Sequence, residues 1–381
     1  MLSLFLFASS APSPLYVVYQ RAWDFSAMTL TAVFAVYALG LLGALVVAGS
    51  VSDHAGRRPT LVVGLALELV AMVLFARAAN VEMLLAARVL QGVATGIAMG
   101  AISAALLDLQ PDSRPWLGGL VGAAAPLTGL ATGALVTGLL VDHGPDPMRL
   151  VFWLLLGSFV VVAVLLLAVP ETVERHRRWH HSLRPQAGIP PELRRMFAAA
   201  LPTLAATWSL GGLILSLGPS LTAQELGAAS HTVGGLPIFV MAGTSAVMSV
   251  LARDAEPRTA ARTGLSALIA GVILALAALE SGSTVLFVVG TAVCGLGFGP
   301  AFAAVFRVLT QMAPADRRGE VVSSVLVVAY LAFSGPALAA GIAATEVGLH
   351  ETALAYGIAL IALAALALGL SRRLDAVALP A

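Results

Sequence analysis

The chain has 381 residues, of which 59% are hydrophobic and only 11% charged, with a formal net charge of +1 and a mean hydropathy of +0.95. A water-soluble globule typically has about a quarter of its residues charged, so the composition excludes one and makes lipid the solvent. The near-neutral balance suggests no nucleic-acid partner, and the single cysteine, Cys294, has no second thiol for an internal disulfide.

Inside a bilayer every backbone polar group must be satisfied within the protein, which leaves helices and closed barrels. The apolar runs are about 20 residues long and continuous rather than alternating, which selects helices. They fall at 1–20, 28–50, 60–78, 83–107, 116–140 and 148–169, then at 196–217, 233–252, 263–279, 284–309, 321–345 and 352–370. The expectation is an all-α membrane protein of twelve transmembrane helices. One six-helix bundle spans 1–169, a linker rich in Arg, His and Pro spans 170–195, and a second bundle with a short tail spans 196–381.

Segment 1 starts at Met1 with no basic residue before it. Leu2 to Ala11 ends in small residues, as a signal peptide does, but lacks the positive n-region. It is therefore read as a true span, with the start of translation left open. All 21 basic residues are arginine, and their placement orients the chain. Sixteen lie in the linker, the tail and the loops after even-numbered segments, against only Arg21, Arg77 and Arg149 on the other side. Basic loops stay in the cytoplasm, so both termini are expected there.

Between segments 2 and 3 lies a polar island, Gly49-Ser-Val-Ser-Asp53-His-Ala-Gly56-Arg57-Arg58. Glycine at 49 permits close packing of a helix end and glycine at 56 permits a tight turn. Asp53 suits a helix N-terminus, and Arg57 and Arg58 suit carboxylates or helix C-terminal carbonyls. Glu68 sits mid-segment in an apolar run, and Arg88 sits about five residues inside segment 4. Charged groups at such depth are costly, about 2.5–3.5 kcal/mol for a guanidinium on insertion scales. Helical rise puts the two within reach of an ion pair. Four readings stay open: a structural pair, a Glu68 buried as the neutral acid, an Arg88 that snorkels to the interface, and a Glu68 that carries protons. Gly92, Gly96 and Gly100 make one face of segment 4 thin, a packing feature.

Segment 5 holds Pro126 and Gly129, and segment 11 holds Gly335 and Pro336; proline in a helix removes a backbone hydrogen bond and bends it. In the linker, His176 and His180 have the i, i+4 spacing of a metal site, but Arg175, Arg177 and Arg178 repel a cation, so no metal site is expected. Tyr19 and Trp23 read as interface anchors and Asp24 as a solvated helix cap. Offset by 203 residues, Gly92, Gly96, Ala98, Leu106, Pro111 and Arg114 meet Gly295, Gly299, Ala301, Leu309, Pro314 and Arg317, so the two sets of six repeat each other. Such repeats point to a transporter that rocks one half against the other.

These motifs together resemble the major facilitator superfamily, in particular its drug:proton antiporter branch, over the whole chain. The polar island is similar to the family's loop signature G-x-x-x-D-x-x-G-R-R. The resemblance implies that Gly49, Asp53, Gly56, Arg57 and Arg58 form an inner gate whose partners are helix ends in the other half. Arg88-Val-Leu-Gln91-Gly92 resembles the R-x-x-Q-G motif of proton-coupled members, which implies proton coupling through Arg88 and Gln91, with Glu68 as a third participant. Segment 5 resembles the exporter motif in part, with Val121 and Ala125 where the motif has glycine, so the export direction is not fixed by it. In this family segments 1, 4, 7 and 10 line the path, which makes Tyr16, Trp208, Ser209 and Ser216, with Tyr330 from segment 11, the candidate substrate cavity. So few polar groups suit a hydrophobic or amphipathic solute better than a sugar.

The expected protein is a monomeric secondary transporter of the bacterial inner membrane with no enzyme chemistry and no cofactor. It would use the proton gradient to export an amphipathic small molecule. Import of a small metabolite by symport or uniport is the alternative, and a non-transporting sensor or scaffold of the same fold is the second.

Overall fold

The computed structural model describes residues 1–48, 51–114, 116–173, 188–314 and 317–377. Gly49 and the linker residues Arg175, His176, Arg177, Arg178, His180 and His181 lie outside them. Helices dominate, and the described residues contain no strand. In chain order they are α1 (Leu2–Ser10), α2 (Pro12–Trp23), α3 (Ala27–Ala48), α4 (Val51–Ala55), α5 (Arg57–Arg77), α6 (Val81–Asp108) and α7 (Leu117–His143). There follow α8 (Leu150–Leu166), α9 (Arg194–Ser220), α10 (His231–Leu251), α11 (Pro257–Ser281), α12 (Thr284–Met312), α13 (Arg318–Glu346) and α14 (Leu349–Val377).

Segment 1 is α1 plus α2, and the short α4 lies in the polar island; every other segment is one helix. Eleven spans among the described residues are long and apolar enough to cross a bilayer. The twelfth, α8, has 17 residues, about 25 Å by helical rise against a hydrocarbon core of about 30 Å. Segment 7 runs longer than its apolar run suggests, because a π turn over Leu221–Glu225 extends α9.

Ends are set by local chemistry. Asp24 closes α2 rather than opening α3: it takes a left-handed conformation (φ 49°) that Asp tolerates better than most residues. The start of α3 is capped instead by Ser26, whose Oγ accepts from Thr29 N at 3.2 Å. Tyr19 is no interface anchor. It is buried, stacks on Trp23 at 4.7 Å, and donates to Met148 O at 3.1 Å, tying α2 to the α7–α8 loop.

Glycine sets the packing, because small residues are what let helices approach in lipid. A Cβ on Gly92 or Gly96 would collide with the backbone carbonyls of Tyr37 and Leu41 on α3. Their repeat partners Gly295 and Gly299 stand in the same way against Met241 O and Ser245 O on α10. Likewise a Cβ on Gly64 would sit 3.1 Å from that of Ala98, and one on Gly264 would sit 3.0 Å from that of Ala301. The weak sequence repeat is thus a repeated pair of helix seats. α7 continues helically through Pro126 and α13 through Pro336. Gly129 and Gly133 seat α1, with Ser3 O and Phe7 O in the space a Cβ would need, whereas Gly335 faces open space.

Gly92→Ala is expected to destabilise the folded protein by about 1–3 kcal/mol through overpacking, and Gly295→Ala to do the same. Gly122→Ala, whose new methyl meets nothing within 4 Å, should leave the thermal unfolding midpoint in detergent unchanged or slightly raised.

Candidate functional site

Arg88, Gln91 and Glu68 come together, and all three are fully buried. Arg88 does not snorkel. Its guanidinium faces α1 and α3, where Nη1 donates to Ser9 O at 2.9 Å and Nε donates to Val33 O at 3.4 Å. The Tyr37 ring lies under it at 4.6 Å and the Tyr16 ring at 5.9 Å, a placement that stabilises a desolvated cation. Arg88 reaches Glu68 only through an intermediary. Nη1 donates to Gln91 Oε1 at 2.8 Å, and Gln91 Nε2 donates to Glu68 Oε1 at 3.3 Å. Glu68 Oε2 has no hydrogen-bond partner.

Segment 1 contributes to this site with its backbone. Pro12 has no N–H, so the carbonyl four residues before it, Ala8 O, loses its helical donor. Gln91 Nε2 supplies the replacement at 3.0 Å. A parallel device holds segment 7 to segment 11: Pro336 frees Ala332 O, and Ser209 Oγ donates to it at 2.9 Å. Ser209 is therefore a helix tie, and Ser216 Oγ bonds within its own helix to Gly212 O at 2.6 Å.

The repeat does not extend to the polar cluster. At the offset of 203, Arg88 and Gln91 correspond to Thr291 and Cys294, which line a small apolar cavity with Leu210, Leu213, Val272 and Leu360. Two like scaffolds hold a charge relay on one side and a hydrocarbon pocket on the other.

An aromatic cluster forms where the first six spans meet the last six. Trp208 packs edge-on against Tyr330 at 4.9 Å and Phe302 at 5.4 Å, and Phe34 of α3 lies 4.8 Å from Phe333 of α13. Trp208 Nε1, Tyr37 Oη and Tyr16 Oη are buried without hydrogen-bond partners.

In the polar island, Gly56 has φ +100°, a conformation that side-chain-bearing residues rarely adopt. Arg57 donates to Asp53, to Ser52 Oγ at 2.8 Å and to Asp108 Oδ2 at 3.1 Å. Glu171 caps α5, accepting from Arg57 N at 2.8 Å and Arg58 N at 3.1 Å. Asp108 and Glu171 were missed in the sequence. The signal available was that both are acids at segment ends on the arginine-rich side. These partners belong to the first six segments and the linker start, where partners in the other half were expected.

Residues 1–336 match the family model described as Major Facilitator Superfamily. The chain belongs to that superfamily. It is accordingly a multi-pass membrane transporter and not an enzyme. Among curated proteins it is similar to the multidrug resistance protein MdtL of Klebsiella pneumoniae, 28% identical over 317 residues, covering 78% of this chain and 74% of the relative. MdtL of Citrobacter koseri is 25% identical over 310 residues, covering 78% and 75%. Among solved structures, the peptide transporter POT in complex with alafosfalin superposes with a TM-score of 0.78 at 15% identity, covering 98% of this chain and 92% of that one. The D-xylose–proton symporter superposes at 0.72 and 15%, covering 96% and 95%. At that identity the superpositions show the major facilitator fold alone.

Gln91→Leu removes both ends of the relay and strands Ala8 O, an Arg88 N–H and a Glu68 oxygen. Each orphaned group costs about 1–3 kcal/mol, so a sharp fall in the thermal unfolding midpoint is expected. A fall no larger than that of Thr128→Val, at an exposed hydroxyl bonded within its own helix, would show the relay to be energetically idle.

Proposed function

We propose that this chain is a secondary active transporter that exports a hydrophobic or amphipathic small molecule in exchange for protons. The arginine-rich end lies in the cytoplasm by the positive-inside rule, with both termini there, in the bacterial inner membrane. The bodies that rock are 1–169 and 196–381, joined by 170–195, and the monomer is the working unit. No cofactor is needed, because the proton gradient supplies the energy.

The observation behind this reading is the buried carboxyl of Glu68. One of its oxygens is unpartnered, and the other is tied through Gln91 to a permanently charged guanidinium. A carboxyl at that depth is a functional group by default. The relay fits either protonation state without rearranging, because Oε1 can accept from Gln91 Nε2 in both and the unpartnered Oε2 is the atom that would carry the proton. The aromatic cluster supports an apolar or amphipathic cargo, since its open N–H and hydroxyl groups can orient one polar end of an otherwise apolar molecule. The direction rests on likeness to the MdtL multidrug resistance proteins. In the gate, Arg57 couples Asp53 to the end of α6, so movement of the polar island is passed to the helix that carries Arg88.

Two measurements test the reading. In proteoliposomes, solute flux should follow an imposed pH gradient, and Glu68→Gln should abolish that dependence in a protein that still inserts and folds; flux indifferent to the gradient would sink proton coupling. Asp53→Asn should lower flux with normal insertion, by up to about five-fold for the loss of a half-exposed ion pair worth about 0.2–1 kcal/mol. A non-transporting sensor would show no flux in either protein.

A further inference from the structure

At the end opposite the arginine-rich loops, one carboxylate joins the two sets of six. Asp142, in the last turn of α7, accepts five hydrogen bonds from the start of α10. They come from Ser230 Oγ (2.6 Å), His231 N (2.9 Å), His231 Nδ1 (2.9 Å), Thr232 N (2.9 Å) and Thr232 Oγ1 (2.7 Å). Every partner lies in the other half of the chain. A carboxylate only accepts, so His231 Nδ1 carries a proton here. Asp142 thus caps the N-terminus of a helix from the opposite half, where the backbone N–H groups and the helix dipole both favour an anion.

The backbone beneath is fitted to this contact. Gly138 of α7 leaves room for His231 O, and Gly235 of α10 leaves room for Ala134 O; a Cβ at either would lie 2.6 Å from that oxygen. Further along the same seam the contact loosens, with a Cβ on Gly243 reaching Ala131 only at 4.0 Å. A second observation points the same way. Ser13 Oγ on α2, Thr137 Oγ1 on α7 and Ser220 Oγ on α9 are buried with no hydrogen-bond partner. Those helices pack together at this end, and α9 is buried on every side from Leu210 to Leu221. Buried hydroxyls without a protein partner are unfavourable, and exposure to solvent would satisfy them. Something must hold the end closed against that tendency.

We propose that Asp142 is the outer latch of the transport cycle. Its capping of α10 holds the outer ends of the halves shut while the site is accessible from the cytoplasm. Opening to the outside breaks all five bonds and admits water to Ser13, Thr137 and Ser220. The assignment rests on the alternating-access reading above, with the arginine-poor end outside. It concerns a residue that is a member neither of the Arg88 relay nor of the polar island.

The first test reads conformation by labelling, without a substrate or a pH gradient. Cys294, the single native cysteine, is buried, so an introduced Ser13→Cys can be labelled over a quiet background. In intact cells a membrane-impermeant maleimide should label Ser13→Cys slowly. Adding Asp142→Asn should raise that rate about ten-fold or more and, in inside-out membrane vesicles, lower the rate at Met99→Cys, on the inner side, because losing one differential contact shifts the population of the two states. Should Asp142→Asn fail to insert, the pair Asp142→Cys and Thr232→Cys replaces it: oxidation to a disulfide should stop flux, and a reductant should restore it. Unchanged labelling, or flux that persists through a complete cross-link, would overturn the latch. If flux still responds to the pH gradient in that case, the transporter reading stands and only the latch falls.

Discussion

A guanidinium buried in a membrane protein must find every partner inside the protein, because lipid offers none. Much of the first half is arranged around that requirement. α1 and α3 turn carbonyl oxygens toward Arg88, Tyr37 and Tyr16 offer ring faces, and Gln91 takes the remaining approach and passes it to Glu68. The glycines of α6 make this possible. Gly92 and Gly96 draw α3 close enough for Val33 O and Tyr37 to reach the guanidinium one turn away. Packing and charge burial are here one problem with one solution.

The two halves solve the packing problem alike and the charge problem differently. Gly295, Gly299 and Ala301 repeat the seats of Gly92, Gly96 and Ala98, yet Thr291 and Cys294 stand where Arg88 and Gln91 would be. A feature that departs from a repeated scaffold is not required by the scaffold. That separates the relay from the glycine ridges as a candidate for function, with no reference to any other protein.

Much of this was legible in the sequence, and the boundary of legibility has physical causes. Spans could be read because lipid demands long apolar runs, and the family could be read because the polar island and Arg88-Val-Leu-Gln91-Gly92 are short, local motifs. Contacts across the chain were harder. A direct Arg88–Glu68 pair looked feasible from helical rise alone, but Gln91 lies between, and rise carries no information on rotation about the helix axis. Ser209 looked like a cavity residue until Pro336, 127 positions later, was seen to leave it a free carbonyl. Tyr19 looked like an interface anchor because its partner, Met148 O, is backbone and has no sequence signature. Asp142 drew no notice because an acid at a helix end is ordinary; its partners lie on another helix some ninety residues away.

The oxygens that segments 1 and 2 offer to Arg88 and Gln91 are those of residues 8, 9 and 33, and all three belong to the main chain. A main-chain oxygen survives almost any change of the side chain attached to it. The receiving surface is thus insulated from mutation, and only the donors and the proline that frees Ala8 O are exposed to selection at the level of residue identity. A relay of this kind can persist while the side chains at positions 8, 9 and 33 change freely. In distant relatives it should be sought through the donors on segment 4 and the acid on segment 3, and not through any residue type at the positions that hold them.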